Sequence, residues 1–221
     1  MPATRRLATR ERPPYHCRAM RDLLTDPLWQ PEDLGEPIPD SPHAVSVCLP
    51  TWRDNIGYEE RSPRVCDALQ AGYPRFVFHP ICRRFFEHCR QRFAAEGEAC
   101  IALSSMQAGR RLAAYLRSSC GDNPRLHEFG LNGVAVATFP TRCADQARAY
   151  WQHVGDGVSS RLAEACLAGR AVDPADEAKR TLRRRIADCA GVRPEHVWLF
   201  PTGMSAIFTV HQVLQARRRE C

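Results

Sequence analysis

Four consecutive residues near the end of the sequence combine the groups that hold an anion: Thr202, Gly203, Met204 and Ser205. A glycine lets a ligand approach the backbone without a Cβ in the way, and free backbone N–H groups donate hydrogen bonds to phosphate oxygens. The hydroxyl groups of Thr202 and Ser205 add two further donors. These residue types predict a phosphate-binding turn.

The flanking residues predict how the turn is held. Residues 196–200, HVWLF, form an apolar run that indicates a final strand, and residues 205–217 follow a helical pattern. The free N–H groups of the first helical turn and the positive end of the helix dipole would then face out of the turn. Another interpretation stays open from the local pattern, in which Thr202 caps the helix and Gly203 makes the turn.

The rest of the chain alternates between strand and helix patterns. Strands are predicted at 43–49, 99–103 and 133–139, and helices at 80–95, 106–116, 144–153, 159–167 and 174–189, with a short helix after the turn at Thr51. Strands that alternate with helices indicate an α/β fold with at least some parallel pairing.

The same patterns divide the chain into three parts. Residues 1–42 contain eight prolines and little periodicity, which predicts a flexible arm. Residues 43–140 are predicted to form an N-terminal α/β region. Residues 141–221 are predicted to form a helical segment followed by one strand, turn and helix.

Composition limits the class of protein. The 31 basic Lys and Arg residues outnumber the 25 acidic residues, and Lys179 is the single lysine. The 11 cysteines are an odd number at scattered positions, so we expect reduced and mostly buried thiols. No apolar run approaches the ~18 residues of a membrane span, and no secretory signal is recognisable, so we expect a cytoplasmic protein.

Several blocks of the sequence resemble one enzyme family. The segment LFPTGMSAI resembles the Ser-Gly-Met-x-Ala phosphate-binding turn of the Cys/Met-metabolism family of pyridoxal-phosphate enzymes. The blocks HAVSVCLPTWRDNIGYEE, AGYPRFVFHP, AYWQHVGDGVSSRLAEACL and LRRRIADCAGVRPEHVWLF resemble, in the same order, the fungal-type cystathionine gamma-synthases. The resemblance covers residues 43–214.

This resemblance implies a fold and a cofactor. It implies an N-terminal region followed by the start of a fold type I, aspartate aminotransferase-like large domain. Gly203 and Met204 would offer backbone amides to the phosphate of pyridoxal phosphate, with Thr202 and Ser205 nearby. The intact enzyme, a homo-oligomer, would join cysteine to an O-acylhomoserine in the transsulfuration route to methionine.

The resemblance also implies that a catalytic residue is missing from this sequence. Catalysis in the family needs a lysine that forms a Schiff base with the cofactor, and this lysine follows the Gly-Met turn. Lys179 precedes the turn and lies in DEAKRTLRRR, a charged stretch that predicts the solvated face of a helix. We therefore assign no catalytic residue and expect a truncated chain that is inactive alone.

The sequence leaves other functions open. A non-catalytic module that associates with a full-length homologue stays open, and so does an Arg-driven nucleic-acid binder, although acidic residues dilute the Arg runs at 183–185 and 217–219. No metal site is predicted, because no Cys-x-x-Cys pair occurs. His153, Asp156 and Ser160 contain the residue types of a catalytic triad, but their spacing does not predict hydrolase geometry.

Overall fold

The computed structural model describes residues 30–72 and 77–219, so most of the predicted arm, residues 1–29, lies outside the described residues. Short 3-10 turns at Pro31–Asp33, Gly130–Asn132, Thr141–Cys143 and Pro194–His196 accompany the longer elements. In chain order the strands and helices are β1 (Pro37–Ile38), β2 (Ser46–Val47), α1 (Trp52–Glu59), α2 (Pro63–Cys66), α3 (Pro80–Phe93), β3 (Glu98–Leu103), α4 (Met106–Cys120), β4 (Arg125–Phe129), β5 (Val134–Pro140), α5 (Ala144–Val154), α6 (Ser160–Leu167), α7 (Asp176–Ala190) and α8 (Gly203–Arg219).

The main sheet has three strands in the order β3, β5, β4, and both neighbouring pairs are antiparallel. The predicted parallel pairing is therefore wrong for the strands that the structure describes. The cause is β4, whose sequence RLHEF was not recognised as a strand. It is joined to β5 by a tight connection ending at Gly133, which has φ +63°. That connection makes β4 and β5 adjacent antiparallel strands, and β5 separates β3 from β4.

Helices cover both faces of this sheet. On one face Leu103 and Ala137 pack with residues of α4 and α5, such as Leu112 and Tyr150. On the other face Val136 and its strand neighbours pack with α3 and α6. Because successive side chains of a strand point to opposite faces, β5 contributes to both cores, and its residues from Val134 to Phe139 are all buried. The predicted mixture of helix and sheet is confirmed.

The amphipathic helices were predicted well. In α3 the buried residues Ile81, Phe85 and Cys89 recur every four residues, and the arginines face outward. The predicted helices at 106–116, 144–153, 159–167 and 174–189 are confirmed as α4 to α7, with ends that differ by up to four residues.

A smaller unit precedes the sheet. Strands β1 and β2 pair antiparallel, and Val47 packs with Tyr58 and Val65 in a separate apolar cluster. The short helix predicted after Thr51 is confirmed as α1, where Thr51 and Asp54 form a capping box. The strand predicted at 43–49 is reduced to Ser46–Val47. The 3-10 turn Pro31–Asp33 and β1 lie within the predicted arm, and the boundaries of the three predicted parts stay a prediction.

The strand predicted at 196–200 is wrong. Residues 197–200 have no regular secondary structure, and Trp198 is 70% exposed. A strand needs a neighbour for its backbone groups, and no described strand pairs with this segment. The following helix, α8, is confirmed and begins at Gly203.

Among residues 30–72 and 77–219, no helix combines the length and the apolar composition that a bilayer crossing requires.

Candidate functional site

The predicted phosphate-binding turn is the N-terminus of α8, and hydrogen bonds between Thr202 and Ser205 hold it. The Ser205 amide donates to Thr202 Oγ1 at 3.1 Å, and the Ser205 hydroxyl donates to the Thr202 carbonyl oxygen at 2.9 Å. The Thr202 amide donates to Ser205 Oγ at 3.3 Å. Ser205 is only 2% exposed, so these bonds are largely shielded from water. Thr202 therefore acts as a helix cap, as the local pattern allowed.

The backbone amides of Gly203 and Met204 take no part in these hydrogen bonds. Within the described part of the chain neither N–H has a hydrogen-bond partner. A Cβ added at Gly203 would meet no atom within 4 Å, so the space beside it is open. Two free donors at the positive end of a helix, with open space next to one of them, are the elements of an anion site.

The two hydroxyl groups have other partners in this arrangement. Thr202 Oγ1 accepts from the Ser205 amide and lies 3.2 Å from Ser205 Oγ and 3.4 Å from the Gly155 carbonyl oxygen. The hydroxyls thus fix the turn, while the backbone supplies the free donors. Their direct contact with a phosphate stays a prediction.

Gly155 supports the turn from outside. It ends α5 in the left-handed conformation, with φ +76°. A Cβ at this position would overlap the Thr202 hydroxyl and lie 3.1 Å from the Ser205 amide nitrogen. Sequence reasoning missed this residue. The signal was available, because a glycine directly after a helical pattern is a common helix terminator.

A buried ionic cluster holds the chain next to Gly155. Asp156 is 4% exposed, and its Oδ2 accepts from Arg111 Nε at 2.9 Å, Arg111 Nη2 at 2.8 Å and the Tyr150 hydroxyl at 3.2 Å. Burial raises the pKa of Tyr150 above its usual range, and the charge of Asp156 adds to the rise. Burial alone would lower the pKa of Arg111, but its hydrogen bond to Asp156 raises it overall.

Helix α8 is attached to the core on one side. Phe208 packs against the core cluster, and its ring centroid lies 6.2 Å from that of Tyr150 in an edge-to-face arrangement. Tyr150 therefore links α8 to the Asp156 cluster. The N-terminal turn of α8 is held at Gly155 and again one turn further along, at Phe208.

Lys179 lies on the surface of α7. Its side chain is 47% exposed, and its Nζ lies 3.9 Å from Asp176, which is itself 70% exposed. An amine in this setting is solvated, with no burial to activate it as a nucleophile.

Asp156 and Ser160, two of the three residues considered for a triad, have other partners. Asp156 bonds Arg111 and Tyr150, whereas Ser160 Oγ lies 3.1 Å from His43 Nδ1, and His43 Nε2 lies 3.5 Å from Glu164. Ser160 is 6% exposed and lies at the start of α6, where it joins the N-terminal unit to the core. In the part of the chain that is described, no group of three or more His, Cys, Asp or Glu side chains is placed to hold a metal ion.

The sheet and most of its helices are similar to a known protein domain. Residues 81–159 match the family model described as the fungal trans-sulfuration enzyme N-terminal domain. This segment runs from α3 to the start of α6 and includes Gly155 and Asp156; the turn at 202–205 lies outside it.

Three similar curated proteins come from fungi. A cystathionine gamma-synthase of Saccharomyces cerevisiae is 31% identical over 61% of this chain and 24% of its own length. One from Neurospora crassa is 32% identical over 62% of this chain and 26% of its own length. A cystathionine gamma-synthase-like enzyme of Amanita muscaria is 26% identical over 84% of this chain and 45% of its own length.

The matched part of the chain spans only about a quarter of the two cystathionine gamma-synthases. No solved structure matches the chain. Residues 81–159 match the fungal trans-sulfuration enzyme N-terminal domain, and the resemblance to fungal cystathionine gamma-synthases predicted from the sequence is confirmed.

Proposed function

We propose that this chain is a portion of a cystathionine gamma-synthase, comprising the N-terminal domain and the start of a fold type I large domain, and that it carries the cradle for the phosphate of pyridoxal phosphate. The single observation that carries the cradle is the pair of unpartnered amides at Gly203 and Met204. The names of the similar fungal proteins support the choice of enzyme.

The residues present fit the phosphate of the cofactor. Open space beside Gly203 admits an oxygen atom close to the backbone, and the Thr202–Ser205 bonds hold the two amides in place before a ligand arrives. Because the donors are ordered in advance, little conformational entropy is lost on binding. When bound, pyridoxal phosphate supplies the electron sink that a replacement at the γ carbon of an O-acylhomoserine requires.

We further propose that the chain performs no γ-replacement by itself. Lys179 is its single lysine, and the exposed position of this residue on α7, beside Asp176, gives its amine no activation. The chain's own contribution is to bind and orient the phosphate.

A titration tests the cradle. Pyridoxine 5′-phosphate lacks the aldehyde and cannot react with lysine, so its affinity reports phosphate binding alone, with pyridoxine as the unphosphorylated reference. Gly203→Asp should weaken binding about tenfold or more, because it adds a negative charge at the two amides. Gln215→Asp adds the same charge at an exposed position near the other end of α8 and should leave the affinity unchanged. Equal binding by the wild type and Gly203→Asp would refute the cradle.

A second experiment separates binding from chemistry. Pyridoxal phosphate is added to the whole chain, borohydride is used to fix any lysine adduct, and peptides are mapped by mass spectrometry. No stoichiometric adduct is expected. A stable adduct on Lys179, together with turnover of an O-acylhomoserine, would overturn the proposal that the chain is inactive alone.

An interaction module is a second candidate, and exposed apolar side chains favour it. They lie on α7, on the 197–200 segment and on α8, and include Leu182, Ile186, Trp198, Phe200, Ile207, Val210, Val213 and Leu214, each at least 38% exposed. Monomers rarely leave so much apolar surface without a partner. A full-length cystathionine gamma-synthase is the proposed partner.

Co-purification with such an enzyme tests this candidate. Ile207→Asp should abolish the complex, and Gln215→Asp on the same helix should retain it. Failure of the wild-type chain to bind the enzyme would remove the candidate, whatever the result of the phosphate titration.

A further inference from the structure

Two cysteines that are 23 positions apart in sequence are neighbours in the fold. Cys120 is the last residue of α4, and Cys143 ends the 3-10 turn that leads into α5. Cys120 packs against the core cluster that contains Cys143, and Cys143 Sγ bonds the carboxylate of Asp122, two residues after Cys120. Cys143 is fully buried, whereas Cys120 is partly exposed. Solvent therefore reaches one thiol of the pair.

A carboxylate completes the cluster. Cys143 Sγ donates a hydrogen bond to Asp122 Oδ2 at 3.0 Å. Arg142 Nη2 donates to both oxygens of Asp122 at 2.7 Å, which holds this carboxylate in place. Burial, followed by the hydrogen bond to Asp122, raises the pKa of Cys143, so this thiol retains its proton at neutral pH.

We propose that Cys120 and Cys143 are a redox modification site, which closes to a disulfide when the chain meets a hydroperoxide. Cys120 is the thiol that reacts first, because it is the exposed member of the pair. Cys143 then resolves the oxidised Cys120, and Asp122 accepts the proton of Cys143.

The chemistry balances with one hydroperoxide. The sulfur of Cys120 attacks one oxygen of hydrogen peroxide, the O–O bond breaks, and the departing hydroxide takes the thiol proton of Cys120, so that a sulfenic acid and one water form. The sulfur of Cys143 then attacks the sulfur of Cys120, and the S–O bond breaks. The departing hydroxide takes the proton that passed to Asp122 and leaves as a second water. Two thiols are oxidised to one disulfide, and one peroxide is reduced.

The other thiols lack this arrangement. Cys100 Sγ donates to the carbonyl oxygen of Phe86 at 3.2 Å, and Cys82 Sγ donates to that of Val158 at 3.5 Å. Cys143 instead donates its hydrogen bond to a carboxylate, that of Asp122. We therefore expect oxidation to select Cys120 and Cys143 over the remaining cysteines.

The disulfide would tie the end of α4 to the start of α5 across the β4–β5 hairpin. Closing this loop restricts the unfolded chain, so oxidation should raise the midpoint of thermal unfolding by several degrees. Dithiothreitol should reverse the change.

Peptide mapping of the oxidised chain tests the proposal. After treatment with hydrogen peroxide, alkylation and trypsin, the expected product is one cross-linked pair of residues 118–125 and 143–148. Asp122→Asn should slow closure and let the sulfenic acid of Cys120 accumulate, which dimedone labels. Cys189→Ser, at an exposed cysteine of α7, should leave the cross-link unchanged. Absence of the pair in the folded wild-type chain, or equal cross-linking of Cys120 to Cys189, would overturn the proposal.

Discussion

The hydroxyl oxygen of Thr202 lies 3.4 Å from the carbonyl oxygen of Gly155, although 46 residues separate the two in the chain. Gly155 belongs to the segment that matches the trans-sulfuration N-terminal domain, and Thr202 lies beyond it. The contact therefore joins the domain to the candidate phosphate turn. Substitutions on either side of this contact can show how far the turn depends on the domain.

Gly155→Ala should destabilise the fold and loosen the turn. Gly155 has φ +76°, and a Cβ would overlap the Thr202 hydroxyl. Backbone strain and the steric clash together should lower the unfolding free energy by about 2–3 kcal/mol. Urea denaturation measures the loss. Gly169→Ala is a matched control, because Gly169 also has positive φ, at +62°, but a Cβ there meets nothing within 4 Å. An equal loss in both variants would show that the contact with Thr202 adds nothing.

Ser205→Ala should weaken the start of α8. The substitution removes the hydroxyl that donates to the Thr202 carbonyl oxygen and accepts from its amide, and it leaves the Thr202 amide without a partner. The expected cost is about 1 kcal/mol of unfolding free energy, together with weaker binding of pyridoxine 5′-phosphate. Thr181→Ala removes an exposed hydroxyl in the middle of α7 and should cost nothing measurable. Unchanged stability and unchanged affinity in Ser205→Ala would contradict the role given to the cap.

Asp156→Asn should destabilise the chain by removing the charge that Arg111 and Tyr150 face. A buried ion pair that loses one partner costs several kcal/mol, but Arg111 is 36% exposed, which lowers the expected cost to about 2 kcal/mol. Asp176→Asn provides the control, because Asp176 is 70% exposed and its pair with Lys179 spans 3.9 Å. Similar unfolding free energies for the two variants would argue against a structural role for the Asp156 cluster.

The sequence predicted those parts of the fold in which local pattern and burial agree. The spacing of Ile81, Phe85 and Cys89 identified α3, because one face of the helix meets the sheet. Strand β4 was missed because it is an edge strand in which all residues but Phe129 are exposed or half-exposed, so that RLHEF carries little hydrophobic pattern. Pairing direction depends on the connection through Gly133, which apolar periodicity does not report.

The residues of the candidate site likewise fall into those that the local sequence predicted and those that it did not. Thr202 to Ser205 were recognised from their residue types, because a small polar turn before a helix has a local signature. The preceding apolar run was taken for a strand, yet Trp198 and Phe200 are exposed and no described strand pairs with them. Gly155 has a local signal as a helix terminator, but its contact with Thr202 and the bond of Arg111 to Asp156 join residues distant in sequence, and a local pattern does not report such contacts.

Alkaline pH should destabilise the folded chain through its buried thiols. Burial raises the pKa of Cys82 and of Cys89 from 9.0 to about 12 in each case. Above pH 9 the unfolded chain loses the thiol protons that the folded chain keeps, so the unfolding free energy falls as pH rises and continues to fall toward pH 12. Each fully shifted thiol contributes a slope of at most about 1.4 kcal/mol per pH unit.

Urea denaturation at pH 8, 9 and 10 in the presence of a reductant measures this slope. Cys89→Ala should reduce this slope by the contribution of one thiol. It should also lower the unfolding free energy at pH 8, because packing is lost. Cys189→Ala is the control, since Cys189 is exposed and its loss should leave the slope unchanged. A wild-type stability that stays constant from pH 8 to pH 10, or a Cys89→Ala slope equal to that of the wild type, would show that these thiols do not govern the alkaline limit of the fold.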